Sequence, residues 1–282
     1  MPLFRYLGSH VRETLEKARL KTSRVRDLND PFELLYSPKR TLTQAEAASR
    51  IPNRLKTPSL LAALKIHFPN DSAEQLRKKV IQPNVVDAVV AQYPEIVEHG
   101  LMEGRFNSAD ASFRLVCFSS EQTRLQDEIL LWSHYANKHQ GHRIGFEIPE
   151  SPMSVFTIEG VKYSANRVEA DFTGDPSDPK FDAAMYASIG TKSLVWEYES
   201  EFRLVIKPEM CVPDEKDSLM RHLPFDPAWV VRVDCGLRSD PAEDTRIEAV
   251  VKERYPHASV YKAQFHPTDY SIIYELIHAR AC

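Results

Sequence analysis

The sequence predicts an α+β fold, in which a mixed, strongly twisted β-sheet core is flanked by helices and carries an inserted helical lobe. Segments with two-residue alternation of apolar and polar side chains are interleaved with helix-like segments along the chain. Residues 43–110 differ, because alanine, lysine, glutamate and glutamine dominate there and apolar residues recur at helical spacing. No internal repeat is visible. We therefore predict a core domain formed by 1–42 and 111–282, and a helical insertion at 43–110.

The first elements follow from local patterns. Leu3–Leu7 and Arg19–Ser23 are predicted strands, and the segment between them, Ser9–Ala18, is a predicted helix with Ser9 as its N-cap. A loop is expected at Asn29–Glu33, because asparagine and aspartate bond their own backbone and Pro31 forces the residue before it to be extended.

Strand patterns return after the insertion. The near-continuous apolar run Phe113–Ser120 is typical of a buried central strand. Further strands are predicted at His142–Ile148, Val161–Tyr163, Trp196–Ile206, Trp229–Cys235 and Ser259–Phe265. Helices are predicted at Gln126–Lys138, Phe181–Ser193 and Pro241–Tyr255, and Asp269–Ile277 is expected to be a last strand or helix.

Size and composition exclude several classes of protein. At 282 residues and 43% apolar content, the chain can bury a large core. Its formal charge of -4 provides no overall basic field for a nucleic-acid backbone, so nucleic acid could bind only through a local patch. Only 9 glycines stand against 19 prolines, and no Walker or Gly-x-Gly-x-x-Gly pattern occurs, which argues against the common nucleotide folds.

The four cysteines are scattered, with no Cys-x-x-Cys and no close cysteine–histidine cluster, which argues against a zinc site or a disulfide framework. His134, His139 and His142 invite a metal interpretation, but no carboxylate stands with them at ligand spacing. No metal is therefore predicted. The amino terminus lacks the apolar core of a signal peptide and no run is long enough to span a membrane, so we expect a cytoplasmic protein without a membrane partner.

The most unusual stretch is the acidic segment that precedes an apolar strand at Trp196–Ile206. If the whole segment is a strand, Glu197, Glu199, Glu201 and Arg203 project to one side. This pattern is compatible with a solvated edge strand, whose charges prevent pairing with other chains. It is equally compatible with a pair of glutamates at the lip of a cleft.

The helix at Gln126–Lys138 places Leu131, Trp132 and Tyr135 on one face. Such a face is more often core than ligand wall.

Several separated motifs together resemble the bacterial family catalogued as domain of unknown function 2971. They are Phe4-Arg5-Tyr6, Asn29-Asp30-Pro31-Phe32-Glu33, Cys117-Phe118-Ser119, Leu131-Trp132-Ser133-His134-Tyr135-Ala136, Gly141-His142-Arg143-Ile144-Gly145-Phe146 and Trp196-Glu197-Tyr198-Glu199-Ser200-Glu201-Phe202-Arg203. The resemblance covers most of the chain, with the helical insertion as its variable part. It implies a family but no activity.

The order of motifs also resembles that of the ADP-ribosyltransferase superfamily, in particular the toxins that modify DNA bases. This resemblance implies an NAD-consuming enzyme of the toxin or phage-defence type, with NAD as substrate and an unknown acceptor that is nucleic acid or protein. Glu201 is then the catalytic carboxylate, which stabilises positive charge on the ribose and accepts a proton, and Glu199 orients the acceptor. The implied NAD-binding residues are Arg5, Tyr6, Asn29, Asp30, Phe32, Ser119, Trp132 and Tyr135.

Two other functions remain open at this point. Asp30, Glu33, Glu199 and Glu201 could surround a divalent ion in a nuclease or other hydrolase of a defence system, since hard oxygen ligands suit magnesium. Alternatively, the cleft could bind a ligand or peptide without chemistry, using Trp132, Tyr135 and Trp196 as apolar anchors. In that case Glu199 or Glu201 is expected to form a salt bridge with Arg203 or Arg143, and an acid held by two arginines is a poor base.

Overall fold

A computed structural model describes residues 2–33, 37–38, 61, 64–65, 68–80, 109, 111–121, 124–149, 157–170, 179–217 and 219–280. The chain divides into two compact units. The first comprises Met1–Ser23, Phe113–Val161 and Val195–Cys282, and the second comprises Arg24–Ser112 and Lys162–Leu194. Most of the predicted insertion lies outside the described residues. The second unit also contains Lys162–Leu194, which we had assigned to the core domain.

An eight-stranded mixed sheet forms the centre of the first unit and confirms the α+β prediction. Its strands are β1 (Leu3–Leu7), β4 (Arg114–Ser120), β5 (His142–Phe146), β6 (Thr157–Gly160), β10 (Glu201–Ile206), β13 (Val230–Cys235), β14 (Ser259–Phe265) and β15 (Ile272–His278). They lie in the order β15-β14-β13-β5-β1-β4-β10-β6. Only β13 and β14 run parallel, joined by a helix, and all other neighbours are antiparallel.

The helices of the first unit are α1 (Val11–Lys17), α3 (Leu125–Tyr135) and α5 (Pro241–Arg254). A smaller antiparallel sheet adds β2 (Arg19–Thr22), β11 (Val212–Pro213) and β12 (Arg221–Pro224). In the second unit, the described elements are helices α2 (Ala73–Val80) and α4 (Pro179–Ile189), with the strand pairs β3 (Ser37–Pro38) with β8 (Glu169–Ala170) and β7 (Lys162–Ser164) with β9 (Thr191–Ser193). Helix α2 lies within the predicted insertion.

One face of the large sheet carries the main apolar core. Val116 pairs with Leu204 and Ile144 with Val233, and paired residues on neighbouring strands point to the same side. Helices α1 and α5 and the smaller sheet cover this side with fully buried side chains: Val11, Leu15, Leu20, Leu223, Ile247 and Val251. We call this side the core face.

Three predicted elements need correction. The predicted strand Trp196–Ile206 begins only at Glu201, because Leu194–Glu199 forms a 3₁₀ helix. Between them Ser200 adopts a left-handed backbone with φ of 42°, which interrupts an extended chain.

The predicted helix Phe181–Ser193 ends at Ile189 and is followed by β9. Helix α1 begins at Val11, and no side chain caps it, so Ser9 is not its N-cap. The segment after Asp269 is a strand.

In the described part of the chain, no helix is both long enough and apolar enough to cross a membrane.

Asp244, in the first turn of α5, anchors that helix to the sheet. One of its oxygens lies 2.8 Å from His142 Nε2, and the other accepts hydrogen bonds from Ser239 and Lys262, each of 2.8 Å. Burial disfavours the charged carboxylate, but the hydrogen bonds from His142, Lys262 and Ser239 outweigh it and lower the pKa of Asp244 to about 2. The ionised carboxylate is therefore a stabilising group.

The free energy of unfolding is expected to depend on Asp244 at low pH. Because its pKa is lowered in the folded state, its contribution is present above the unfolded value near 4 and is lost as the pH falls towards 2. The loss is about 2 kcal/mol. Urea unfolding between pH 5 and pH 2.5 should show this extra slope in the wild type and not in Asp244→Asn.

The matched control is Glu248→Gln on the same helix, where Glu248 forms a 2.6 Å surface pair with Lys252. That variant should retain the wild-type slope, since such pairs contribute only about 0.3–0.5 kcal/mol. An unchanged slope in Asp244→Asn would contradict the prediction.

Candidate functional site

The second face of the large sheet is polar, although it is largely buried. Ser119 on β4 lies opposite both Phe4 and Glu201, Cys117 lies opposite Arg203, and Arg143 on β5 lies opposite both Tyr6 and Asp234. Paired residues share a side of the sheet, so these residues form one continuous surface. We call it the polar face; it comprises Phe4, Tyr6, Cys117, Ser119, Arg143, Glu201, Arg203 and Asp234.

Arg143 is the centre of this face. Its Nε donates a 2.6 Å hydrogen bond to Asp234, and one terminal nitrogen donates to Glu128 of α3 and, at 3.0 Å, to the Tyr6 hydroxyl. Asp234 also accepts a 2.7 Å hydrogen bond from Arg232. Two formal positive and two formal negative charges are thus combined within one buried group, which satisfies the requirement that buried ions be paired.

Aromatic side chains enclose this group of charges. The Arg143 guanidinium lies 4.2 Å from the centre of the Phe4 ring and 4.6 Å from that of Tyr274. Tyr274 donates to Glu128 at 2.7 Å and accepts a 3.0 Å hydrogen bond from the Trp132 indole. Arg143, Glu128, Asp234, Arg232 and Tyr274 together form what we call the Arg143 network.

The electrostatics of this network hold each group in one protonation state. Burial by itself would lower the pKa of Arg143, but Asp234 and the neighbouring tyrosines and glutamate raise it well above its ordinary value. Burial raises the pKa of Tyr6 to about 12, although Arg143 opposes the shift. Burial likewise raises the pKa of Tyr274. The arginine therefore remains charged and the tyrosines remain neutral hydrogen-bonding groups.

Glu201 lies at the other side of the polar face, in an ion pair. Its two oxygens accept hydrogen bonds from Arg203 Nε at 2.8 Å and from a terminal nitrogen of the same guanidinium at 3.1 Å. Burial, and next the carboxylate of Glu201, raise the pKa of the Cys117 thiol well above its ordinary value. Both oxygens of Glu201 are therefore engaged by the Arg203 guanidinium.

Glu199, two residues before Glu201, is also a buried carboxylate. It ends the 3₁₀ helix and accepts a hydrogen bond from the Tyr135 hydroxyl of α3. Beside this pair lie further aromatic side chains: the Tyr198 hydroxyl lies 3.0 Å from His134 Nδ1, and the Trp196 and Tyr198 rings lie 6.1 Å apart. His134 is exposed, and Trp196 and Tyr198 are partly exposed, so a planar ligand could reach them.

The structure brings together most of the predicted site residues of the first unit. Tyr6, Ser119 and Glu201 lie on the polar face, and Tyr135 bonds Glu199 nearby. The prediction that Trp132 binds NAD is wrong, because this side chain is fully buried. The centres of the Trp132 and Tyr6 rings lie 5.3 Å apart, and Trp132 packs with other core side chains. It is a core residue and cannot form a ligand wall.

Arg5 is a second correction. It pairs with Ile144 and therefore points to the core face, opposite to Glu201. Its guanidinium donates to the backbone carbonyls of Cys117, at 3.0 Å, and Lys21, at 2.9 Å, and burial lowers its pKa. Arg5 thus connects β1 to β4 and β2, and it does not share a surface with Glu201 for binding NAD.

The remaining predicted residues belong to the second unit. Asp30 is buried, and its carboxylate accepts a 2.9 Å hydrogen bond from the backbone nitrogen of Phe32, as expected for a turn. The next residue, Glu33, forms a 3.6 Å ion pair with Lys192. Phe32 is 59% exposed and lines a cavity of about 240 Å³ with Asn166, Arg167, Ser188, Lys192 and other residues. Asn29 is exposed in the same loop.

Sequence reasoning missed Glu128, Arg232, Asp234 and Tyr274 altogether, and it offered Arg143 as a partner of Glu199 or Glu201, whereas its ion pairs are with Glu128 and Asp234. A charged residue within a predicted strand was the available signal for Arg143 and Asp234. No local pattern indicated that they meet.

Comparisons with protein-family models, with curated proteins and with solved structures found no match to this chain.

Replacing Arg143 should destabilise the fold strongly. Arg143→Met leaves Asp234 and Glu128 buried without their common partner, which costs about 3–5 kcal/mol. Arg246→Met is the control, because Arg246 is exposed and pairs with Glu243 at 2.9 Å on the surface; the expected loss is at most about 1 kcal/mol. Urea unfolding followed by tryptophan fluorescence measures both. Equal effects for the two variants would show that the network is not stabilised by Arg143.

Proposed function

We propose that this chain is an NAD-consuming transferase similar to ADP-ribosyltransferases, of the toxin or phage-defence type, and that it belongs to the family of domain of unknown function 2971. The acceptor in this proposal is a nucleic acid or a protein. The observation that carries the proposal is the pair of buried carboxylates, Glu199 and Glu201, one bonded by a tyrosine and the other by an arginine, with partly exposed aromatic rings in the same segment.

The hydrogen-bond partners support an exchange of the roles expected from the sequence. The Tyr135 hydroxyl donates a hydrogen bond to Glu199, so this pair joins a carboxylate and a hydroxyl, two groups that can accept and pass on a proton. Glu201 forms an ion pair with Arg203. In this proposal the ion pair orients the acceptor and Glu199. We therefore assign the proton acceptor to Glu199 and a positioning role to Glu201.

The chemistry requires a carboxylate at this place. The bond between C1′ of the ribose and nicotinamide breaks, and its electron pair leaves with nicotinamide. The nucleophilic atom of the acceptor bonds to C1′ and its proton passes to Glu199. A negative carboxylate stabilises the positive charge that develops on the ribose. Trp196 and Tyr198 offer the ring faces on which a planar base could stack.

The Glu201–Arg203 pair also supports a second candidate, a binding module without chemistry. The ion pair of Glu201 with Arg203 can hold the side chains of a binding surface in place, and the neighbouring aromatic residues can contact a ligand. This candidate predicts binding without turnover.

The metal-dependent nuclease has weaker support. Within the described residues, the one group of three side chains that could share a metal ion contains none of Asp30, Glu33, Glu199 and Glu201.

Nicotinamide release tests the proposal. The purified protein is incubated with NAD and with either nucleic acid or protein from a bacterial extract. We expect Glu199→Gln to reduce nicotinamide release by about 10²–10⁴-fold, the usual effect of removing a general base. Glu201→Gln should reduce it less. Glu197→Gln is the matched control, because Glu197 is exposed in the same 3₁₀ helix, and its activity should equal that of the wild type.

Calorimetric titration with NAD separates the two candidates. Binding of NAD without release of nicotinamide would favour the binding module. Turnover that is equal in Glu199→Gln and the wild type would refute the role of Glu199, and the absence of both binding and turnover would refute the proposed function.

A further inference from the structure

A second group of reactive side chains lies on the core face, away from the carboxylates of the polar face. His142 at the start of β5 pairs directly with Cys235 at the end of β13, and Asp244 reaches them from the first turn of α5. One potential ligand atom from each of the three lies within 4.8 Å of the other two. All three residues are buried.

The donor set suits a borderline metal ion. Zinc binds imidazole nitrogen, thiolate sulfur and carboxylate oxygen at about 2.0–2.3 Å, so tetrahedral ligands lie about 3.3–3.6 Å apart. The present separations are at most 4.8 Å, and side-chain rotations of about 1 Å would close them onto one ion. Three protein ligands leave the fourth position of a tetrahedral zinc for water.

Hydrogen bonds within the protein do not fully satisfy this group. His142 Nε2 lies against Asp244 at 2.8 Å, but the other ring nitrogen, Nδ1, is buried without a hydrogen-bond partner among the described residues. Buried polar atoms in proteins usually have hydrogen-bond partners, so the lone Nδ1 of His142 needs an explanation. A role of the His142 ring as a metal ligand, with the ring turning when the ion binds, provides one.

A cation already occupies the edge of the group. Lys262 Nζ lies 2.8 Å from Asp244 Oδ2 and 2.6 Å from Ser239 Oγ. Its side chain is 23% exposed, more than those of His142 and Asp244, at 4% and 11%. The ammonium can therefore move into solvent without a change in the backbone, and a doubly charged ion could replace it.

We propose that His142, Cys235 and Asp244 form a zinc site in which the Lys262 ammonium takes the place of the ion until zinc binds. On binding, the Cys235 thiol releases its proton to solvent, His142 coordinates as a neutral imidazole, and Lys262 turns outward. Zinc with one thiolate and one carboxylate is then electrically neutral, which suits a buried site. The bound ion joins β5, β13 and α5.

Zinc titration against a competing chromophoric chelator tests this site on the full chain after dialysis with a chelator. We expect one zinc per chain in the wild type. His142→Gln and Cys235→Ser should each weaken zinc binding by about 10–100-fold or more, because even a change of a residue that only supports a metal ligand has an effect of this size. Lys262→Met should strengthen binding by about ten-fold or more, because no ammonium then has to be displaced. Lys252→Met, an exposed lysine on α5, is the control and should match the wild type.

Cobalt provides a second measurement that does not depend on stability. Cobalt bound to the wild type and to Lys262→Met should show the charge-transfer absorption of a cobalt–thiolate bond, and Cys235→Ser should lack it. Circular dichroism of each apo variant checks that it is folded, and Cys235→Ala replaces Cys235→Ser if that variant is not. Failure of both the wild type and Lys262→Met to bind one equivalent of zinc would overturn the proposal. Binding that is unchanged in both His142→Gln and the cysteine variant would also overturn it.

Discussion

The fold of the first unit depends on the burial of one charge, the guanidinium of Arg143. A buried cation must be neutralised, and Arg143 is paired with Asp234 of β13 and Glu128 of α3 while it contacts the rings of Phe4 and Tyr274. These partners come from β1, β13, β15 and α3. Because an unpaired buried charge would cost several kcal/mol, the network favours arrangements in which these elements meet at Arg143.

The two faces of the large sheet have different roles: the core face contributes apolar packing, and the polar face carries the Arg143 network and Glu201. The core face buries apolar side chains under α1 and α5, which provides most of the driving force for folding. Helix α3 lies over the polar face, where its Glu128 joins the Arg143 network and its Tyr135 reaches Glu199. One helix therefore links the stabilising network to the candidate site. Glu199 and Glu201 can therefore be buried, because each has a hydrogen-bond partner on α3 or β10.

Ion pairing decides what these carboxylates can do. Glu201 and Arg203 are two residues apart on one strand, so they share a face and form a two-bond pair. The left-handed Ser200 breaks the strand just before this pair and brings Glu199 from a 3₁₀ helix instead. Without that break, Glu199 would continue the strand pattern. The two glutamates consequently differ in their partners: Glu199 accepts a hydrogen bond from a tyrosine, and Glu201 is held by an arginine.

The sequence by itself determined the α+β class, most strand and helix positions, and the concentration of polar motifs in β1, β4, β5 and β10, because period and propensity are local properties. It could not determine that Trp196–Glu199 leaves the strand, since one left-handed residue between two acids has no local signature. It also misplaced Arg5, because the face to which a strand residue points depends on register with its neighbours. Only the tertiary structure brought Arg143 to Glu128 and Asp234, and His142 to Cys235 and Asp244. These residues are far apart in the chain, and their meeting depends on how the strands and helices pack.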